Sequence, residues 1–131
     1  MSDVKQVLSA QLHCVAEALR HGAGATEFAR MLYAPDVIVA GEGWPRAIRG
    51  IEAFLPELTA LLQGWGPRAD LEFRIVDPVI DGENTATTLV DVHVAQRGSM
   101  PAAEDYRVFY AWRRTTAGWR VAAEMYTSGS F

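Results

Sequence analysis

A single cysteine, Cys14, among 131 residues excludes an internal disulfide and any metal centre built from several thiolates. It lies in an amphipathic segment near the start of the chain, where a buried, inert thiol is expected. Histidines number three and none pairs with another at ligand spacing, so no metal site is expected. The formal charge of −4 is spread without a long run of either sign, which argues against nucleic acid as a partner and against a basic membrane-binding patch. No apolar stretch approaches the roughly 20 residues that a membrane span needs, and no apolar leader precedes a small-residue cleavage site. A cytoplasmic protein without a membrane partner is therefore expected. Phosphate-binding glycine loops, nucleophile elbows, internal repeats and linkers are also missing, so residues 1–131 read as one domain needing no cofactor.

What is present is a core. Half the residues are hydrophobic, and a chain of this length can bury a substantial apolar interior without disulfides. Val4, Leu8, Leu12, Val15 and Leu19 recur at helical spacing, with Asp3 as N-cap and Gly22 as stop. A short second helix is expected from Thr26 to near Tyr33, carrying Phe28, Met31 and Leu32, and Pro35 biases Ala34 away from helix. The β-branched run 36–40 reads as a strand and residues 46–50 as its hairpin return. A third helix carries Ile51, Phe54, Leu55, Leu58, Leu61 and Leu62 on one stripe, but Pro56 falls inside it, so a kink or a helix beginning at Pro56 is expected. From residue 70 onward four strand-like runs alternate with turns containing DGE, RGSMPA and TAG. Helices first and an antiparallel meander afterwards make an α+β domain.

That order, with YAPDVIVAGEGWPRAIRGIEAFLPEL in the first half and WRRTTAGWRVAAEMYTSG at the end, resembles the NTF2-like superfamily. Its members include SnoaL-like polyketide cyclases, ketosteroid isomerases and the association domain of calmodulin-dependent kinase II. The resemblance implies a cystatin-like cone, with three N-terminal helices packed in a curved, mostly antiparallel sheet. It also implies a deep apolar pocket at the open end and a homodimer formed through the outer face of the sheet. The ending is most similar to SnoaL-like proteins of unassigned function. The isomerase pattern would place its acidic general base at Gly41, one residue before Glu42, so ordinary ketosteroid isomerase chemistry is not implied. The kinase association domain would carry a pocket arginine where this chain has His93. Fold resemblance does not by itself carry an activity.

The candidate chemistry centres on residues 89–96, LVDVHVAQ. Side chains in a strand alternate faces, so Leu89, Asp91 and His93 share one face and Val90, Val92 and Val94 the other. Alternation alone leaves either face as the core. An all-valine face is unsuited to water but suits a subunit seam, so His93 and Asp91 are expected to point into the cone as an acid–base pair. Glu42, in a glycine-flanked turn, is the other candidate base. Glu124 alternates with Val121, Ala123 and Met125 and is expected to face outward, paired with a neighbouring-strand arginine. The pocket lining is expected to comprise Tyr33, Trp44, Phe54, Leu58, Leu62, Trp65, Arg107, Phe109 and Met125, with Arg107 placed to hold a ligand carboxylate. Arg113 and Arg114 read as solvated, and Trp119 as an anchor for the last hairpin.

The resulting expectation is a small homodimer that binds an apolar or polycyclic molecule and performs a cofactor-free proton-transfer isomerisation or cyclisation. The alternative is a ligand carrier or dimerisation module of the same fold. An open cavity with a titratable floor favours the first.

Overall fold

The computed structural model describes residues 3–66, 69–95 and 104–131. Among these, helix α1 spans Val4–Arg20, α2 Ala25–Leu32 and α3 Ile51–Trp65, and the strands are β1 Tyr33–Gly41, β2 Ile48–Arg49, β3 Asp70–Asp81, β4 Thr85–Ala95, β5 Glu104–Thr115 and β6 Gly118–Ser128. The turn expected at RGSMPA lies outside the described residues. The strands form one sheet in the order β2-β1-β6-β5-β4-β3, antiparallel except where β1 runs parallel to β6.

Local chemistry accounts for the elements. The Asp3 carboxylate caps α1 by accepting a hydrogen bond of 3.0 Å from the Lys5 amide. The apolar stripe of α1 buries Leu8, Leu12, Val15 and Leu19, and the helix lies against β3. Helix α2 starts at Ala25 behind Gly24, slightly earlier than Thr26 suggested, and stops at Leu32 where the chain turns extended. Cys14 is exposed on α1, which corrects the expectation of a buried thiol; the stripe that faces the sheet passes through its neighbours Leu12 and Val15 instead.

Helix α3 begins at Ile51 and continues through Pro56, so the start expected at Pro56 is overturned. Pro56 and Glu52, whose carbonyl lacks its N–H partner, both lie on the solvent side, where water can serve that carbonyl. The buried face is carried by Phe54, Leu58 and Trp65.

Register decides which side of the sheet is the core. In β3 and β4 the opposed pairs Leu71–Val94, Phe73–Val92 and Ile75–Val90 turn inward together. Val90 and Val94 are fully buried and Val92 is 5% exposed. Their cover comes from within the chain, because the same core cluster contains the leucine stripe of α1. A valine face on β4 therefore needs no partner subunit, because α1 covers it.

Candidate functional site

The sheet and helices enclose a cavity of about 300 Å³. Tyr33 stands at the start of β1, Phe54, Leu58 and Trp65 on the inner face of α3, and Trp44 in the turn after β1. Tyr106 and Tyr110 come from β5, and Glu124 and Tyr126 from β6. Six rings touch in sequence around the wall. Tyr33 meets Phe54 edge-on at 5.3 Å, Phe54 lies 6.5 Å from Trp44, and Trp44 meets Tyr126 at 5.8 Å. Tyr126 meets Tyr106 at 5.9 Å, and Tyr106 lies 6.2 Å from Trp65. Such edge and tilted contacts are the arrangement that ring quadrupoles favour.

Among the described residues that line the cavity, Glu124 is the buried acid, and Glu57 is an exposed one. Glu124 is 9% exposed, and its Oε1 accepts a 2.6 Å hydrogen bond from the Tyr33 hydroxyl. Burial pushes its carboxyl up to about 7, and the Tyr33 bond partly opposes that rise by favouring the charged form. The same burial and the nearby carboxylate hold the hydroxyls of Tyr33 and Tyr110 well above the ordinary phenol range. Tyr126 is raised for the same reasons, with Glu57 and Glu42 adding to the effect. Tyr106 is pushed to about 12, chiefly by burial and by its hydrogen bond to Glu104. At neutral pH these tyrosines are proton-bearing donors and Glu124 is poised between its two forms, a combination able to exchange a proton with a bound molecule.

The sequence reasoning missed Glu124, and the cause is a single residue. Ala111 of β5 lies opposite Ala123 of β6, yet the next residue, Trp112, lies opposite Val121, leaving Ala122 as a β-bulge. Trp119 and Val121 face inward before the bulge, and Glu124 and Tyr126 after it. Met125 is thereby turned out. A signal existed in the apolar residues of this strand, which fit one phase at Trp119 and Val121 and the other at Tyr126. Met125 fits the first phase and concealed it.

The structure separates the other candidates from the cavity. His93 and Asp91 do not point into the cone; they lie in a groove on the outer face with Glu72, Arg74 and Asp105. The His93 side chain is 43% exposed, with Nδ1 2.7 Å from Asp105 Oδ1, while Asp91 pairs with Arg74 and accepts a 2.8 Å hydrogen bond from the Phe131 amide. Glu42 is exposed after β1 and accepts a 3.1 Å hydrogen bond from the Ser128 amide. Of the expected lining, Tyr33, Trp44, Phe54, Leu58 and Trp65 are in place. Leu62 packs against the core beside the cavity rather than lining it. Arg107 is outside, with Nε 2.7 Å from Thr127 Oγ1, and is not placed to hold a ligand carboxylate. Phe109 and Met125 form an opposed pair on the outer face, 40% and 61% exposed. Outward side chains on β5 and β6 cannot reach the interior, so strand phase explains these three corrections together. Arg113 pairs with Asp36 of β1, and Trp119 is buried beneath Arg114, whose guanidinium carbon lies 6.0 Å from the ring centroid.

Gly41, where the isomerase pattern would carry its acid, has no room for one. A Cβ there would come within 2.6 Å of the Trp44 ring and 2.8 Å of Tyr126. The acid of this cavity stands instead on β6, where Glu124 lies beside Val39 of β1. Among the described residues no group of three or more histidine, cysteine, aspartate or glutamate side chains is arranged to hold a metal ion. No described helix is long and apolar enough to cross a membrane.

Three helices on one six-stranded sheet make the NTF2-like, cystatin-like fold. Solved structures that share it extend over almost the whole chain. A ketosteroid isomerase-like protein from Erwinia carotovora atroseptica superposes with a TM-score of 0.71 at 15% identity, covering 100% of both chains. An NTF2-like superfamily protein from Salmonella enterica serovar Typhimurium gives 0.73 at 16% identity, covering 98% of this chain and 92% of that one. An NTF2-like protein with a cystatin-like fold from Novosphingobium aromaticivorans gives 0.68 at 18%, covering 95% and 80%. No protein-family model and no curated protein matches the sequence. At these identities the likeness concerns the fold, and the chemistry has to be argued from the cavity.

Proposed function

We propose that the protein binds an apolar or polycyclic small molecule in the cone and exchanges a proton with it, in a cofactor-free isomerisation or cyclisation of the SnoaL-like kind. The observation that carries this reading is Glu124, a carboxyl raised to about 7 in an aromatic cavity and held by Tyr33. A general base works best when its pKa lies near the working pH, and proton removal beside a carbonyl needs only such a base and a donor for the developing oxyanion. Tyr33 engages Oε1 of Glu124, so Oε2 is assigned to the ligand proton. The Tyr110 hydroxyl, from the residue opposite Glu124 on β5, and the Tyr126 hydroxyl on β6 are assigned as oxyanion donors. The protein acts as a homodimer in this reading, assembled through the outer apolar surface that contains Phe109 and Met125.

The test uses 2-tetralone in deuterated buffer near neutral pH, with loss of its α-proton followed by NMR and binding followed by tryptophan fluorescence. Wild-type protein should accelerate exchange above buffer, and Glu124→Gln should remove at least about a hundredfold of that acceleration while still binding the ketone. Binding without accelerated exchange would overturn the catalytic half and leave a ligand carrier; absence of binding would overturn the pocket reading.

A further inference from the structure

The charge character of the cavity narrows the ligand beyond its being apolar. Among the described residues, none that lines the cavity is lysine, arginine or histidine; the ionisable groups are Glu124, Glu57 and tyrosines. Glu42 and Glu57 both act electrostatically on Tyr126, which places further negative charge near that wall, and Glu104 bonds the Tyr106 hydroxyl. The contiguous aromatic arc contributes in the same sense, since ring faces carry negative potential and attract a cation within about 6 Å of their centres. A carboxylate ligand would find tyrosine hydroxyl donors but no cation to receive it, and the cavity carboxylates and ring faces would oppose its charge. A cationic head would meet the aromatic wall and find Glu124 as its counter-ion.

We infer that the cone selects an organic cation, a molecule with an apolar body and a protonated or quaternary nitrogen held by the Trp44–Tyr126–Tyr106 wall and Glu124. This rests on the reading of the cone as the ligand site and adds the charge of the ligand to it. The groups facing Glu124 are Tyr33 of β1, Tyr110 of β5 and Tyr126 of β6, with Glu57 of α3 on the same cavity. The tyrosines stay neutral through the physiological range, so Glu124 is the lining group whose charge changes near pH 7.

Three probes of one body and different charge decide the matter: trimethyl(1-naphthylmethyl)ammonium, 1-naphthylmethanol and 1-naphthylacetate, titrated by fluorescence and calorimetry. The ammonium probe should bind about tenfold or more tightly than the alcohol, and the acetate most weakly. Its charge is independent of pH, so its affinity should fall as the pH is lowered from 8 to 6 and Glu124 takes up a proton, while the alcohol changes little. Glu124→Gln should flatten that pH dependence and reduce the preference for the ammonium probe. Alcohol binding as tight as ammonium binding, or acetate binding tightest, would overturn the inference and leave the pocket reading intact. Failure of all three probes to bind would overturn both.

Discussion

Glu124 sits where burial opposes its charge, and that has a measurable stability consequence. Its carboxyl is raised from 4.5 to about 7 on folding, so between those values the native state holds a proton that the unfolded chain has released. Stability therefore falls as pH rises through this window, by on the order of 3 kcal/mol once Glu124 is fully ionised. Glu124→Gln, which keeps the shape without the charge, should be more stable than wild type at pH 8 by up to that amount. It should gain little at pH 4, as read from denaturant midpoints at the two pH values. A less stable Gln variant at pH 8 would mean that the carboxylate is better solvated than its position implies. Tyr33→Phe removes the hydrogen bond that favours the carboxylate, so the Glu124 titration followed by carboxyl NMR should move upward, away from 7. An unchanged or lower midpoint would count against Tyr33 as its positioning partner.

At the scale of elements, the bulge at Ala122 converts a strand whose alternation would expose Glu124 into one that buries it. Deleting Ala122 removes only the extra residue, so the strand should alternate regularly with Val121 and Glu124 both still inward and Met125 outward. The Glu124 titration should then stay near 7, and cavity probes should still bind. A deletion variant whose midpoint fell toward 4.5 would show that the strand had shifted register and turned Glu124 outward. Helix α3 shows the converse relation between local rule and context. Pro56 costs the helix one hydrogen bond, but the affected turn faces solvent and the buried residues Phe54 and Leu58 hold it on both sides.

At the scale of the whole molecule, the outer face of the sheet divides in two. One row runs Ala40, Met125, Phe109, Leu89 and Val76 across five neighbouring strands, and the next parallel row is Thr127, Arg107, Asp91 and Arg74. A continuous apolar ribbon bordered by paired charges suits a self-complementary seam, which at stable-dimer size buries more than roughly 1,000 Å² in total. In the proposed dimer this row takes the place of Val92 and Val94, which are core. Met125→Asp combined with Phe109→Ser should shift the protein to a monomer in sedimentation at micromolar concentration, with the fold retained by circular dichroism. Wild-type protein sedimenting as a monomer would remove the proposed dimer altogether.

The order of elements, the capping of α1, the hairpin β1–β2, the final meander and the inward ring of Tyr33, Trp44, Phe54 and Trp65 were legible in the sequence. Each depends on periodicity, turn chemistry or helix phase over a few neighbouring residues. Which face of β4 is the core was not legible, since a period of two is symmetric between faces and only the position of α1 over the sheet breaks that symmetry. Nor was the site acid, because its direction depends on one unpaired alanine, and a bulge exists only in the pairing of β6 with β5. Local sequence therefore determined which elements form, whereas the tertiary structure decided which of several acids lost its water, and loss of water is what gives Glu124 its chemistry.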